Sequence, residues 1–590
     1  TDPDEHLRDF SRRALEKNPD ASATDALLKA LVQAKDAKWK VGLINALGTR
    51  GARIAVQPLQ DALGDADPSV AAAAVTALAN IGGQDGARAI LSVFEMPLSP
   101  LYMKAAQGLI DIAQERVRRN DLAGAMEIYG WLYEGATSFA RNNPDINPFN
   151  IRAAAIVGMI ACNPLQASEQ IHTWMHDEDP KVRAAVVAAV RASPSKAPTR
   201  ALTALLTELD PQSQVQVLGL LADRGDLSSV DPVKRLLDSH QEIVRLAAIE
   251  TLTKIGTDDG AEALLPIAVA GSGPAQRAAR EGLATMAGPR VEEAIAAYAA
   301  AGRPETRVVA IGLLGKRRAA GTAEILLSYA SDADEQIARA AFAAMADVAD
   351  TIDAATLADL VAKAKAGGPR DNGVTALRAV LPAAKDKDAA GQAVIDRMKT
   401  ADAGARIAML TALDASGTIA ALAVVCDAAQ SPDEALSDAG IRTLSNWPSF
   451  EAVETLVALV SRPQTPLTHY VLATRGALRL IGASESAPMD QRVAMCLATF
   501  DKARRDDEKR QAIATLGALP SPKTIERLQE LLKNEAFKTE AALAMVDLAG
   551  RMTDRQAARE LAQKIRDMNI SEEVNRRAEA VLSGRFRGRR

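Results

Sequence analysis

Aromatic residues make up only 3% of this 590-residue chain: 4 Trp, 6 Tyr and 9 Phe. So little aromatic surface leaves scant material for an aromatic-lined ligand cage. Cysteine is rarer still. Cys162, Cys426 and Cys496 are far apart and odd in number, so they offer neither a disulfide framework nor metal-ligand spacing, and Cys162 and Cys496 read as small buried hydrophobes. No apolar run reaches the roughly 18 residues a membrane span needs. No stretch alternates with period two, so no sheet is expected. Gly271-Ser272-Gly273-Pro274 lacks the Gly-Lys-Ser/Thr of a phosphate loop and reads as a turn. Positive charge is not in excess: 70 Lys and Arg against 75 Asp and Glu leave a net charge of −5. That balance disfavours nucleic acid as a partner, since its binders carry a basic stripe.

What the chain does have is a beat. It is clearest in Asp67-Pro68-Ser69-Val70 running to Leu78 and Gly82, and it returns in Asp179-Pro180-Lys181-Val182-Arg183 and Ile243-Val244-Arg245. Counting seven residues on from the one after the Val reaches a large apolar residue, and about two helical turns put both on one face. These marks are Leu47, Leu78, Leu109, Met159, Val190, Leu221, Leu252, Leu283, Leu314, Met345, Leu377, Leu413, Leu444, Leu478, Leu516, Met545 and Val581. From Met159 to Met345 every step is 31 residues. The residue before a mark is usually small, as at Ala46, Ala77, Gly158, Gly282 and Ala344, and a second apolar residue stands three before it, as at Ile44, Val75 and Ile249. Small residues let helices approach closely while Leu and Ile fill the seam. A second helix separates successive marked ones, as in Ala261–Ala268 and Thr322–Tyr329. Asp-Pro before a marked helix supplies an N-cap and a proline at the first helical position. A fixed period of this kind means a stacked array.

Tetratricopeptide and ankyrin landmarks are missing. The Asp-Pro-x-Val-Arg-x-Ala-Ala phrase, closed by Ala-Leu-x-x-Ile-Gly, resembles the short HEAT-like (armadillo-type) repeats also seen in phycobilisome-lyase-type proteins. The resemblance covers nearly the whole chain. It implies an all-α, right-handed α-solenoid of about 17 helix pairs, and it says almost nothing about activity. HEAT-like hydroxylases that bind iron use His-Glu pairs, and this chain has no His-Glu dipeptide. HEAT-like DNA glycosylases are shorter and use basic, aromatic-lined faces.

The beat breaks between Leu109 and Met159, where the step is 50 residues. The extra length, between Gln114 and Asn150, has tetratricopeptide-like Ala-x-x-x-Tyr spacing and gathers Tyr129, Trp131, Tyr133, Phe139 and Phe149. These five are the candidate partner-binding residues, on an insert that projects from one face. The competing reading is a longer helix pair whose aromatics fill their own core. The expected organisation is therefore an N-terminal cap and first repeats over 1–113, an insert over 114–150, and a continuous solenoid with a C-terminal cap and basic tail over 151–590.

Chemistry-bearing motifs are few. His172 and His176 stand four apart with Glu169 one turn earlier, a spacing that can hold a divalent metal on one helical face. A histidine near a helix C-terminus also gains from the macrodipole alone, so the three are weak candidates and no metal or cofactor is expected. Asp258-Asp259 and Asp506-Asp507 read as helix starts. The basic clusters at Arg116, Arg118 and Arg119 and at Lys502, Arg504 and Arg505 have acidic neighbours and read as solvated helix faces, and the tail Arg585, Arg587, Arg589 and Arg590 reads as a frayed end or a contact site.

The expected function is a non-catalytic protein–protein interaction scaffold with a protein partner. Two alternatives stay open: a self-assembling protein that stacks end to end, and an accessory part of a bacterial carbohydrate-processing or lyase enzyme. The start at Thr1-Asp2-Pro3-Asp4, without Met or an apolar signal core, reads as a trimmed N-terminus. Loose similarity to large bacterial exported proteins favours an exported or periplasmic setting over a cytoplasmic one.

Overall fold

A computed structural model of the chain describes residues 4–96, 100–288 and 290–585. It contains 36 α-helices and, among the described residues, no strand. Every mark but one falls inside an α-helix, and the exception, Leu413, opens the 3-10 turn Leu413–Ala415. All seventeen marks are buried. Each marked helix is preceded by a second helix, which makes 17 pairs behind an opening helix, Glu5–Lys17. In the fifth pair that second helix is broken into Pro164–Ser168 and Ile171–Met175. Contacts divide the chain into two compact units, Thr1–Val291 and Glu292–Arg590, each a stack of helix pairs. The stretch 114–150 lies wholly inside the first unit.

The small residues beside the marks set the spacing of the stack. A Cβ on Gly48, one after Leu47, would lie 2.6 Å from the Ala77 Cα, one before Leu78. Thr253, one after Leu252, occupies the space a Gly282 side chain would need (2.3 Å). In the second unit Gly315 meets Ala344 at 2.8 Å and Gly517 meets Ala544 at 2.9 Å by the same measure. One residue past a mark thus faces one residue before the next mark, and the pair must be small for the backbones to come this close.

At many of the marks the residue seven positions earlier ties the turns together. Arg183, Gln214, Arg245, Gln276, Arg307, Arg370, Arg406 and Ser437 each donate to a backbone carbonyl at the end of the helix before their own, at 2.6–3.3 Å. These are carbonyls that a helix end leaves without a partner. Several of the cations also reach forward to a carboxylate of the next repeat: Lys40 to Asp65 (2.6 Å), Arg152 to Asp177 (2.5 Å), Arg183 to Asp210 (3.3 Å), Arg307 to Asp332 (2.8 Å) and Arg370 to Asp402 (3.4 Å). In three cases the acceptor is the first Asp of an Asp-x-Asp turn. Asp65, Asp177 and Asp332 take the cation and also accept from the N–H two residues on, at 2.9–3.0 Å. The second Asp, at 67, 179 or 334, caps the marked helix at 2.8 Å. The expected Asp-Pro caps are thus present, with a second carboxylate beside them that reaches back one repeat. Asp258 and Asp506 do open helices, as their acidic pairs suggest.

Two predictions follow from this packing. Gly312 and Gly315 share the helix Pro304–Arg317, but nothing lies within 4 Å of a Cβ at Gly312. Gly312→Ala is expected to raise stability by about 0.5–1 kcal/mol through helix propensity, while Gly315→Ala lowers it by about 1–3 kcal/mol through overpacking; urea unfolding of the two variants checks the opposite signs. The caps make the fold acid-sensitive. The Ser69 hydroxyl and N–H hold Asp67 below the usual carboxylate range, the Asp334 N–H and Arg307 do so for Asp332 against its partial burial, and the Ala405 N–H does so for Asp402. Carboxyls depressed in the folded state stabilise fully above their unfolded pKa of about 3.9 and lose that contribution as pH falls through the lower folded values. Melting temperature is therefore expected to drop progressively as pH falls below about 4. A flat profile there would show that the caps contribute nothing.

Candidate functional site

The long step in the beat is taken up by a lengthened marked helix, Tyr102–Arg118, by the longest helix of the chain, Leu122–Asn142, and by the loop that leads to the next marked helix, Phe149–Cys162. The long helix takes the second-helix place of the fourth pair. It begins at Asp121, whose side chain caps the Gly124 N–H at 3.0 Å and pairs with Arg116 at 2.6 Å. It packs against both marked helices, and those two scarcely touch each other. Tyr129 is the wedge. Its ring lies beneath Gly158, where a Cβ would be 2.5 Å from the ring atoms. At the other end Phe139 stacks on Tyr102 (3.8 Å between ring centroids, 15° between planes), and Phe94 meets Tyr102 edge-on at 4.9 Å.

The parted helices leave a groove of about 580 Å³. Ile110, Val117, Leu122 and Val157 line its walls, and Tyr129 and Cys162 lie at its floor. Val117, Leu122 and Val157 are 40%, 39% and 48% exposed. Arg118 and Gln114 are the polar groups on its rim. Burial pushes both the Tyr129 phenol and the Cys162 thiol above their ordinary pKa values. Both shifts run opposite to the lowering that activates a nucleophile.

A second groove, about 970 Å³, runs along the long helix beside the first, toward Pro164–Ser168 and Ile171–Met175. Its lining is polar, with Glu127, Glu134, Glu169 and Gln170 beside Trp131 and Tyr133. The Arg88 guanidinium lies 5.2 Å from the Trp131 ring, and Tyr133 meets Trp174 edge-on at 6.0 Å.

The five aromatic candidates therefore divide. Trp131 and Tyr133 are half-buried on the second groove, and Tyr129 floors the first. Phe139 is core and leaves the candidate set, because its face is covered by Tyr102. Phe149 sits apart, half-buried under the Lys181 ammonium at 4.6 Å. The insert does not project: its helix is built into the stack, with Ile128, Leu132 and Ala136 buried. The apolar groove residues Val117, Leu122 and Val157 carried no motif, and only the broken beat pointed to their neighbourhood.

The metal candidates are also rearranged. The helix breaks at Glu169–Gln170, so Glu169 turns to the second groove and leaves the two histidines. Glu208, in the turn after Ala197–Leu205, takes its place. Its carboxylate and one ring nitrogen each of His172 and His176 lie within 4.8 Å of one another, and all three residues are exposed.

The basic clusters are engaged within the protein. Arg118 and Arg119 pair with Glu115 at 2.7 Å, and Arg505 pairs with Asp507 at 2.9 Å. Arg504 donates to the Thr465 carbonyl at 3.1 Å and lies over the Tyr470 ring. Of the basic tail, Arg587, Arg589 and Arg590 lie outside the described residues.

A family described as HEAT repeats matches residues 1–110 and 199–284. Over those two stretches the chain is similar to HEAT repeats. The remaining pairs repeat the same helix, turn and mark without matching that family. Among solved structures, the karyopherin Kap121p bound to Nup53p is 11% identical, with 96% of this chain and 78% of that one covered and a TM-score of 0.35. Importin beta in an ammonium sulfate condition is 13% identical, with 98% and 86% covered and a TM-score of 0.35. No curated protein matches this chain.

Tyr129→Ala should remove the wedge and cost about 3 kcal/mol, in the range of buried aromatic truncations. Trp131→Ala should cost less, about 1 kcal/mol, because part of its ring faces the second groove. Urea midpoints of the two variants test the assignment, and equal losses would contradict it.

Proposed function

We propose that this chain is a non-catalytic protein-interaction scaffold and that the groove between Tyr102–Arg118 and Phe149–Cys162 receives an apolar segment of a protein partner. The observation that carries the reading is the parting of two marked helices over Tyr129, which leaves Val117, Leu122 and Val157 partly exposed along one channel. Apolar side chains grouped on a concave wall with a polar rim are the usual anatomy of a docking site. A segment that presents two or three large apolar side chains along one face matches a channel lined by helices. The raised pKa values of Tyr129 and Cys162 support a binding surface over a catalytic one.

End-to-end self-association is the second reading. Leu7 and Phe10, 53% and 72% exposed on the opening helix, favour it. Ion pairs of Arg12 with Asp9 and Glu16 on the same helix would have to be accommodated in such a contact.

A photo-crosslinking amino acid at position 157, in protein expressed in its source organism, tests the proposal. Position 138, exposed on the long helix outside both grooves, serves as the control. Adducts to another protein from 157 and not from 138, lost in a Leu122→Asp background of unchanged helicity, are expected. Adducts formed only with further copies of this chain would favour self-association, and equal labelling at both positions would overturn the groove.

A further inference from the structure

We propose that His172, His176 and Glu208 form a binding site for a divalent transition-metal ion, of the zinc, nickel or cobalt class, that bridges two consecutive repeats. Three donor atoms of the right kind already converge to within 4.8 Å. Around one ion, with bonds of about 2.0–2.2 Å to imidazole nitrogen and carboxylate oxygen, they would close to roughly 3–3.5 Å. Rotation of exposed side chains can supply that adjustment. The two imidazoles are stacked, with centroids 4.4 Å apart and 27° between planes, so they already present one face.

The His176 ring is also set in a ligating tautomer. Its Nδ1 lies 2.8 Å from the His172 backbone carbonyl. A carbonyl oxygen only accepts, so Nδ1 carries a proton and Nε2 is the nitrogen left to bind a metal. Metal-bound histidines are commonly oriented this way, donating the other ring N–H to a carbonyl or carboxylate. Among the described residues no ion pair engages His172, His176 or Glu208, so none of the three must be released from another charge first. Two imidazoles and one carboxylate select a borderline metal over magnesium or calcium, which take oxygen ligands.

The histidines belong to the fifth helix pair and Glu208 to the sixth. The ion would therefore join neighbouring repeats at an exposed edge, distinct from either groove, and would stabilise the folded state by mass action.

The test is calorimetric titration of the full chain with zinc chloride, together with the visible spectrum of cobalt(II) added alone. One equivalent bound at micromolar concentration is expected, with tenfold or greater weakening in each of His172→Ala, His176→Ala and Glu208→Gln and with helicity unchanged. Absence of saturable binding below millimolar metal overturns the site. So does binding that survives Glu208→Gln intact, since that would be a histidine pair acting without the second repeat.

Discussion

Everything in this molecule depends on how closely one marked helix approaches the next. Where Gly48 meets Ala77, or Gly315 meets Ala344, there is no room for a further carbon atom. The buried marks on either side fill what remains of the seam. Such an interface is stiff, because packed interiors have two sides that must both fit. It is also local: each pair settles its account with its two neighbours, and the stack grows without needing one large core. A 590-residue chain with only 3% aromatic residues can be stable on these terms, since Ala, Gly and Leu supply both the closeness and the filling.

The site arises where that constraint is lifted. Between Tyr102–Arg118 and Phe149–Cys162 the seam is occupied by a ring from the long helix instead of by the facing marked helix. Gly158, one residue before the mark Met159, keeps the small size its position usually has in the array, but here the room it makes is given to Tyr129. A rule that elsewhere brings backbones together is used once to admit an aromatic side chain. The apolar rows that would have closed on each other stay open to solvent.

The periodic part of this fold was legible because it is local. Marks, small neighbours and Asp caps all lie within one or two turns of each other, so a count along the chain finds them. Long-range pairings left no such trace. Arg183 could be seen as part of the repeated phrase, yet its carbonyl partners and its reach to Asp210 exist only once helices are stacked. The same limit separates Glu169 from Glu208. One turn of unbroken helix would have placed Glu169 beside the histidines, but a two-residue break turned it away and a residue from the following repeat arrived in its stead. In the insert, the aromatics could be found by composition, but which of them were wall and which were core depended on Tyr102 and Gly158, far from them in the chain.

The cross-repeat carboxylates have a bearing on how such a chain can change length. A cation in one repeat is answered by an aspartate about 25 to 32 residues later, and that same turn caps the helix it precedes. Where these pairs occur, a repeat begins inside its predecessor, and no boundary there leaves a self-contained cassette. What is conserved under insertion or excision is phase. Removing one period of 31 residues anywhere between Met159 and Met345 returns a mark to the face of a mark, wherever the cut is made. Removing a few residues more or less would rotate every later helix away from the seam. Growth and loss by unequal exchange are thus tolerated in quanta, and a segment of another length survives only if, like the long helix, it brings its own side chain to fill the gap it opens.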